Sequence, residues 1–227
     1  MNLSRAKRYL RNRNLHKKFK TGDELVSWHF KSIGEPEHMC REGIAKAISL
    51  LGDAPARILE TGSSAWGTDS TRLWARYINN FGGELDSVDI REAPRSELGN
   101  LGPRARLHIG DSVNWISNQT GKPSTYDLVY LDSWDVDWND SRDSALHGLK
   151  EFESAKRFFT IGTLILIDDT PVDKGLIPSK FHVSAEKFLQ DFDVLPGKGA
   201  FILKTLPLQE FEVLHHGYNL LLRKIKL

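Results

Sequence analysis

Apolar positions along the chain follow two rhythms. Over residues 1–52 they repeat at helical spacing, with an arm, a helix around "DELVSWHFKSI" and another in "PEHMCREGIAKAISLLG". In the last, Ile44, Ala47, Ile48 and Leu51 share a face, Pro36 can open the helix and Gly52 can close it. From Ala56 short apolar runs alternate with helical stretches. "RILE", "ELDSVDI", "ARLHIG", "YDLVYLD" and "TLILID" read as strands, and "DSTRLWARYINNFGG", "DSVNWISNQ" and "ALHGLKEFESAKRFF" as the helices between them, the first opened by Asp69. Such alternation predicts parallel βαβ units. The near-continuous apolar runs "DLVYL" and "TLILI" suit central strands covered on both faces. After Asp169 the regularity breaks: "TPVDKGLIPSK" reads as loop, "SAEKFLQDF" as helix, and "FEVLHHGYNLLLRKIKL" as two strands around Gly217, an antiparallel pair at one edge. The predicted fold is α/β, a doubly wound, mostly parallel Rossmann-like sheet with a C-terminal antiparallel strand pair and N-terminal helices. Residues 1–52 are expected to form a helical arm and cap, and residues 53–227 the ligand-binding domain.

Composition changes this picture little. At 227 residues, 40% hydrophobic and 27% charged, the chain suits a single soluble α/β domain. No apolar run approaches the roughly 18 residues of a membrane span, and the first residues lack the apolar core of a secretion leader. The single cysteine, Cys40, rules out an internal disulfide and fits a cytoplasmic location, with Cys40 read as a small buried apolar residue. Charge is more informative. The net +1 is uneven: the first 20 residues hold eight of the 31 Lys and Arg and no acid, leaving 23 basic against 30 acidic side chains in the rest. Such an arm suits an anionic partner, a neighbouring subunit in a homo-oligomer, or simply a helix lying on its own acidic body.

In a doubly wound sheet, ligands bind beyond the carboxyl ends of the strands. Five consecutive predicted strands each deliver an acid there: Glu60, Asp89, Asp111, Asp132 and the pair Asp168-Asp169. The turn after Glu60, "TGSSAWGTDS", carries Gly62, Ser63, Gly67 and Ser70, where a glycine-rich backbone can approach a ligand closely. A pyrophosphate-bearing dinucleotide calls for a third glycine and positive potential, and this edge has neither. A cationic nucleoside without phosphate suits it better, and S-adenosylmethionine is one. Glu60 is then expected at its ammonium, Asp89 at the ribose, and Asp111 and Ser112 at the adenine edge. Trp66, Trp134 and Trp138 cluster near the mouth, and Trp134 is the first choice to stack on the base or close over a substrate.

The motif series "ILETGSSAWGTDS", "SVDI", "HIGDS", "YDLVYLDSW" and "LILIDD" resembles that of class I S-adenosylmethionine-dependent methyltransferases over about residues 55–170. The last two motifs resemble the metal-dependent O-methyltransferases typified by catechol O-methyltransferase and the macrolide-sugar O-methyltransferases. The resemblance implies that residues 53–227 bind S-adenosylmethionine and that Asp132, Asp168 and Asp169 are magnesium ligands. Neighbouring strand residues point to opposite faces, so Asp168 and Asp169 converge only if the strand ends between them, as Thr170-Pro171 favours. A divalent ion would relieve the repulsion among the acids and lower the pKa of a bound hydroxyl.

The expected reaction is O-methylation of a small molecule with adjacent oxygens, a sugar, a polyketide or a phenol. The general base stays open between Asp135, which stands where the catechol enzymes carry a lysine, and His147, with Lys174, His215 and His216 as weaker candidates. A nucleic-acid methyltransferase using the basic arm and a non-catalytic nucleoside-binding module are the rival readings. Against the first, "LDSW" stands where amino-methylating enzymes carry Asn/Asp-Pro-Pro-aromatic.

Overall fold

The computed structural model describes residues 17–63, 67–119 and 125–226. Seven strands form one sheet in the order β3-β2-β1-β4-β5-β7-β6. They are β1 (Ala56–Thr61), β2 (Gly83–Asp89), β3 (Ala105–Ile109), β4 (Leu128–Leu131), β5 (Leu164–Ile167), β6 (Phe211–His216) and β7 (Leu220–Lys224). The first five pair in parallel, β7 runs antiparallel to β5, and β6 antiparallel to β7, closing one edge as the sequence predicts.

Strand alternation explains why both faces are covered. On one face Ile58, Leu128, Tyr130, Leu164, Leu166 and Leu221 join a core with Leu25 and Phe30 of α1 (Gly22–Ile33), Ile44 and Ile48 of α2 (Arg41–Leu51), and Trp74 of α3 (Ser70–Phe81). On the other, Leu59, Val129, Leu131, Ile165, Ile167 and Leu222 meet Ile116 of α5 (Ser112–Ser117), Phe152 of α6 (Arg142–Ala155) and Ile202 of α8 (Ala200–Thr205). Each such aliphatic side chain taken fully from water contributes about 1.5–3 kcal/mol. The N-terminal helices thus share one core with the sheet.

Two local expectations change. Pro36 does not open α2, which begins at Arg41. Gly34, at φ 87°, closes α1, and Glu35-Pro36-Glu37-His38 then forms a turn in which His38 N–H donates to Glu35 O at 3.1 Å. Proline's fixed φ suits the second position of such a turn as well as it suits a helix start. Asp69 precedes α3 but does not cap it: at φ 49° it pairs with the buried Arg72 of the first turn. Two short helices, α4 (Ala93–Leu98) and α8, carry too few turns to show a period in sequence. The helix predicted at "SAEKFLQDF" forms as α7 (His182–Phe192).

Between β1 and β4 the strand order reverses, because the chain leaves β1 toward β3 and returns on the other side. This switch point is where α/β sheets open a crevice. The acids at the ends of β1, β2, β4 and β5 flank it. No helix among the described residues is long and apolar enough to cross a membrane.

Candidate active site at the carboxyl edge of the sheet

On the β1–β2 side of the crevice, a pocket is lined by Gly62, Asp89, Ile90, Asp111, Ser112 and Trp134, with His147 behind them. Ile90 and Trp134 are exposed apolar side chains here, at 70% and 49%. The Trp134 ring lies 5.1 Å from that of His147, centroid to centroid, and the hydroxyl of Ser112 is 3.3 Å from His147 Nε2. Asp89 accepts from the backbone N–H of Arg91 at 2.7 Å and from its guanidinium at 3.0 Å through both oxygens. Asp111 also acts as helix cap, accepting from Asn114 N–H at 2.8 Å. Gly62, at φ 80°, packs so tightly on β4 that an added Cβ would sit 2.2 Å from Asp132 O. Only glycine fits there.

Glu60, the residue expected at the ammonium of the nucleoside, lies inside a hydroxyl network. It is fully buried, and its carboxylate accepts hydroxyls from Ser70 at 2.7 Å, Thr71 at 2.7 Å and Ser87 at 2.6 Å. Ser63 extends the network to Ser87 at 2.7 Å. Burial raises the Glu60 pKa to about 7, while the three hydroxyls pull the other way. Glu60, Ser63 and Ser70 therefore tie β1, β2 and α3 together. Gly67 stands at φ 57° beside the residues 64–66 that fall outside the described part, Trp66 among them. Trp138 lines a separate small cleft with Phe188 and Phe192.

The second half of the site is the acid cluster. Carboxylate oxygens of Asp132, Asp168 and Asp169 lie within 4.8 Å of one another. Strand β5 ends at Ile167, and Asp169 turns to φ 42°, which brings the two adjacent side chains to one side. Asp168 accepts from the Cys40 thiol at 3.1 Å and the Tyr130 hydroxyl at 2.9 Å. Tyr130 also reaches Asp132 at 3.2 Å, and Tyr218 donates to Asp169 at 2.7 Å. Cys40 is buried as expected, yet it is a polar partner as well: burial and the Asp168 charge push its thiol up and keep it a donor.

A cation completes the cluster, and no periodic signal announced it. Lys198 contacts Asp132 and lies 2.9 Å from Asp169, with the residue only 3% exposed. Burial raises the Asp132 pKa well above the usual range despite the Lys198 charge, and burial with the Asp169 charge raises Asp168. Asp169 is held down despite its burial, by Lys198 and the Tyr218 hydroxyl. Lys198 itself is held up, because the three carboxylates outweigh its desolvation. The signal for Lys198 in sequence was only its setting between two glycines, "PGKGA".

None of the contacts described for Asp135 or His147 reaches this cluster. Asp135 is exposed, and His147 is engaged with Trp134, Ser112 and Glu151, the last at 3.5 Å. Lys174 pairs with Glu186 on the surface. On the far side of the cluster opens a cavity of about 620 Å³, lined by Glu37, His38, Arg41, Glu42, Leu176 and Tyr218. Tyr218 joins it to Asp169.

No family model and no curated protein matches this sequence. Solved structures do. The MycE methyltransferase of the mycinamycin biosynthetic pathway, in complex with Mg and SAH, superposes at TM-score 0.62 and 17% identity, covering 88% of this chain and 55% of its own. The chain thus spans about half the length of MycE. The SAH-bound Podospora anserina methyltransferase PaMTH1 matches at TM-score 0.53 and 14% identity over 100% of this chain and 97% of its own. A Clostridium thermocellum protein described as a putative rRNA-methylase reaches 0.50 at 14% identity, covering 81% of this chain and 97% of its own. The chain has the class I S-adenosylmethionine-dependent methyltransferase fold.

Proposed function

We propose that this protein transfers a methyl group from S-adenosylmethionine to an oxygen of a small acceptor carrying adjacent oxygens, assisted by a divalent cation such as magnesium. The observation that carries this reading is the convergence of Asp132, Asp168 and Asp169 at the carboxyl edge of the sheet, beside the pocket at Asp89 and Trp134 and the open cavity at Tyr218. The MycE complex, with Mg and SAH together, supports pairing the two ligands.

The residues present fit both groups. On the nucleoside side, exposed Ile90 and Trp134 offer apolar faces to a flat base, and Asp89 and Asp111 offer acceptors at its polar edges. On the cation side, three carboxyl groups converge on one ammonium, and without a further cation burial and mutual repulsion push Asp132 and Asp168 up while Asp169 is held down. The single proton of the Tyr130 hydroxyl is shared between oxygens of Asp132 and Asp168, with Lys198 as the further donor to Asp132 and the Cys40 thiol to Asp168. Hard carboxylate oxygens suit magnesium or manganese.

A divalent ion there would supply the positive charge that favours an ionised acceptor hydroxyl. Asp132, Asp168 and Asp169 would hold it, and Tyr130, Cys40 and Tyr218 fix their orientation from behind. Gly62 holds the donor-side turn against Asp132, which sets the spacing between donor and acceptor. Arg91 must release Asp89 for a ribose to engage both of its oxygens. The cavity beyond Tyr218 sets charged Glu37, Arg41 and Glu42 beside apolar Met39, Ala45 and Leu176, so it offers partners to both the hydroxyls and the carbon skeleton of an acceptor.

Calorimetric titration of S-adenosylmethionine and S-adenosylhomocysteine, with Mg²⁺ or with EDTA, tests the reading. Binding of both nucleosides, followed by methyl transfer that EDTA abolishes, is expected. Failure of either nucleoside to bind would overturn it.

A further inference from the structure

Lys198 is built into the acid cluster with unusual care for a lysine. Its own N–H donates to Asp169 O at 3.0 Å, and Gly199 N–H donates to Thr170 Oγ1 at 3.0 Å. Gly197 stands at φ 146°, where an added Cβ would sit 2.2 Å from Asp169 O. On the opposite side, a Cβ on Gly148 of α6 would come within 2.3 Å of Lys198 O. The turn that carries the ammonium is thereby docked onto the turn that carries Asp168 and Asp169, with no space for a side chain on either flank.

A buried ammonium is tolerated only when carboxylates compensate its desolvation. Here the compensating groups are Asp132 and Asp169, two of the three that would hold the divalent ion. One tethered cation and one diffusible cation therefore address the same oxygens. We propose that Lys198 is an internal counter-ion that competes with the divalent cation for Asp132 and Asp169, keeping the cluster assembled without metal and setting the concentration at which metal loads. The inference rests on the cation reading of the cluster and adds to it a residue that controls occupancy. Two like charges sharing carboxylates in a low-dielectric site repel far more than they would at the surface, so removing one favours the other.

The test is titration of Mn²⁺, followed by calorimetry and by the electron paramagnetic resonance of free Mn²⁺, into the EDTA-stripped full chain and its Lys198→Met and Lys198→Gln variants. Both variants are expected to bind one Mn²⁺ at least tenfold more tightly than the parent. In EDTA both should melt below the parent, and Mn²⁺ should raise their melting temperature by more than it raises the parent's. The glutamine variant keeps a hydrogen-bonding side chain and carries the same test should the methionine variant fail to fold. Equal or weaker Mn²⁺ binding by the variants, with a parent that still binds, overturns the competition and leaves the cation site standing. If neither parent nor variants bind Mn²⁺, both the inference and the cation reading fall.

Discussion

Glu60 and the Asp132–Asp168–Asp169 cluster lie along the same edge of the same sheet, all as acids at strand ends, yet they are treated in opposite ways. Around Glu60 the fold supplies three neutral hydroxyls, and the carboxyl holds its proton up to about pH 7. Around the cluster it supplies an ammonium, and Asp169 is kept ionised. Hydroxyls can satisfy a lone buried carboxylate, but they bring no charge to offset three of them. Glu60 is thus suited to joining β1, β2 and α3, whereas the cluster sets three carboxyl groups around one ammonium, and a further cation would favour ionisation of the two that burial pushes up. Asp86, lower in the sheet, shows the same contrast from the structural side: despite burial it is held down by His108 and Arg106, with the Tyr126 hydroxyl completing the set.

The largest effect should come from the cluster. Asp168→Asn is predicted to lower methyl transfer by about 10³-fold or more, since metal assistance contributes several kcal/mol to such steps. S-adenosylhomocysteine affinity should stay within about threefold in calorimetry, because a cluster that acts on the acceptor side leaves the donor pocket intact. Loss of nucleoside binding in parallel with activity would erase the distinction between the two halves of the site.

Glu60 should reveal itself in stability. Its pKa is about 7 in the folded state against 4.5 for an ordinary glutamate. The folded protein therefore binds more protons between those values, and stability falls as pH rises from about 4.5 to about 7. Glu60→Gln is predicted to remove about 3 kcal/mol of that fall, read from urea unfolding at pH 4.5 and pH 8. An unchanged pH slope would mean that the hydroxyls already keep Glu60 ionised.

The smallest effect concerns the nucleoside pocket. Trp134→Ala should weaken S-adenosylhomocysteine binding about tenfold, as expected for loss of one aromatic face worth about 1 kcal/mol or slightly more. Unchanged affinity would assign Trp134 to packing against His147.

What the sequence reveals follows from how local each cause is. Runs such as "TLILID" announce β5 because both faces of that strand are covered, so every position must be apolar until the edge is reached. The acids at the strand ends are legible for the same reason, since a charge abruptly ends each run. The start of α2 is less legible: Pro36 serves a turn or a helix equally well, and Gly34 decides between them through its closure of α1. Glu60 reads in sequence as a ligand-facing acid because nothing there shows that Ser70 and Thr71 of the next helix and Ser87 of the next strand turn their hydroxyls to it. Lys198 was invisible for the strongest version of that reason. Its partners lie 66 and 29 residues away, and "PGKGA" has no period to place it. Only the packing of Gly148 and Thr170 around that turn brings the ammonium to the aspartates.

The decisive property of the site is whether a divalent ion binds among these carboxylates alongside Lys198. Anomalous diffraction from crystals grown with Mn²⁺ and S-adenosylhomocysteine addresses this directly. One strong peak coordinated by Asp132, Asp168 and Asp169 is expected, with the nucleoside beside Trp134. A nucleoside in place with the cluster held by Lys198 alone, and no peak between the aspartates, would contradict the proposed cation site.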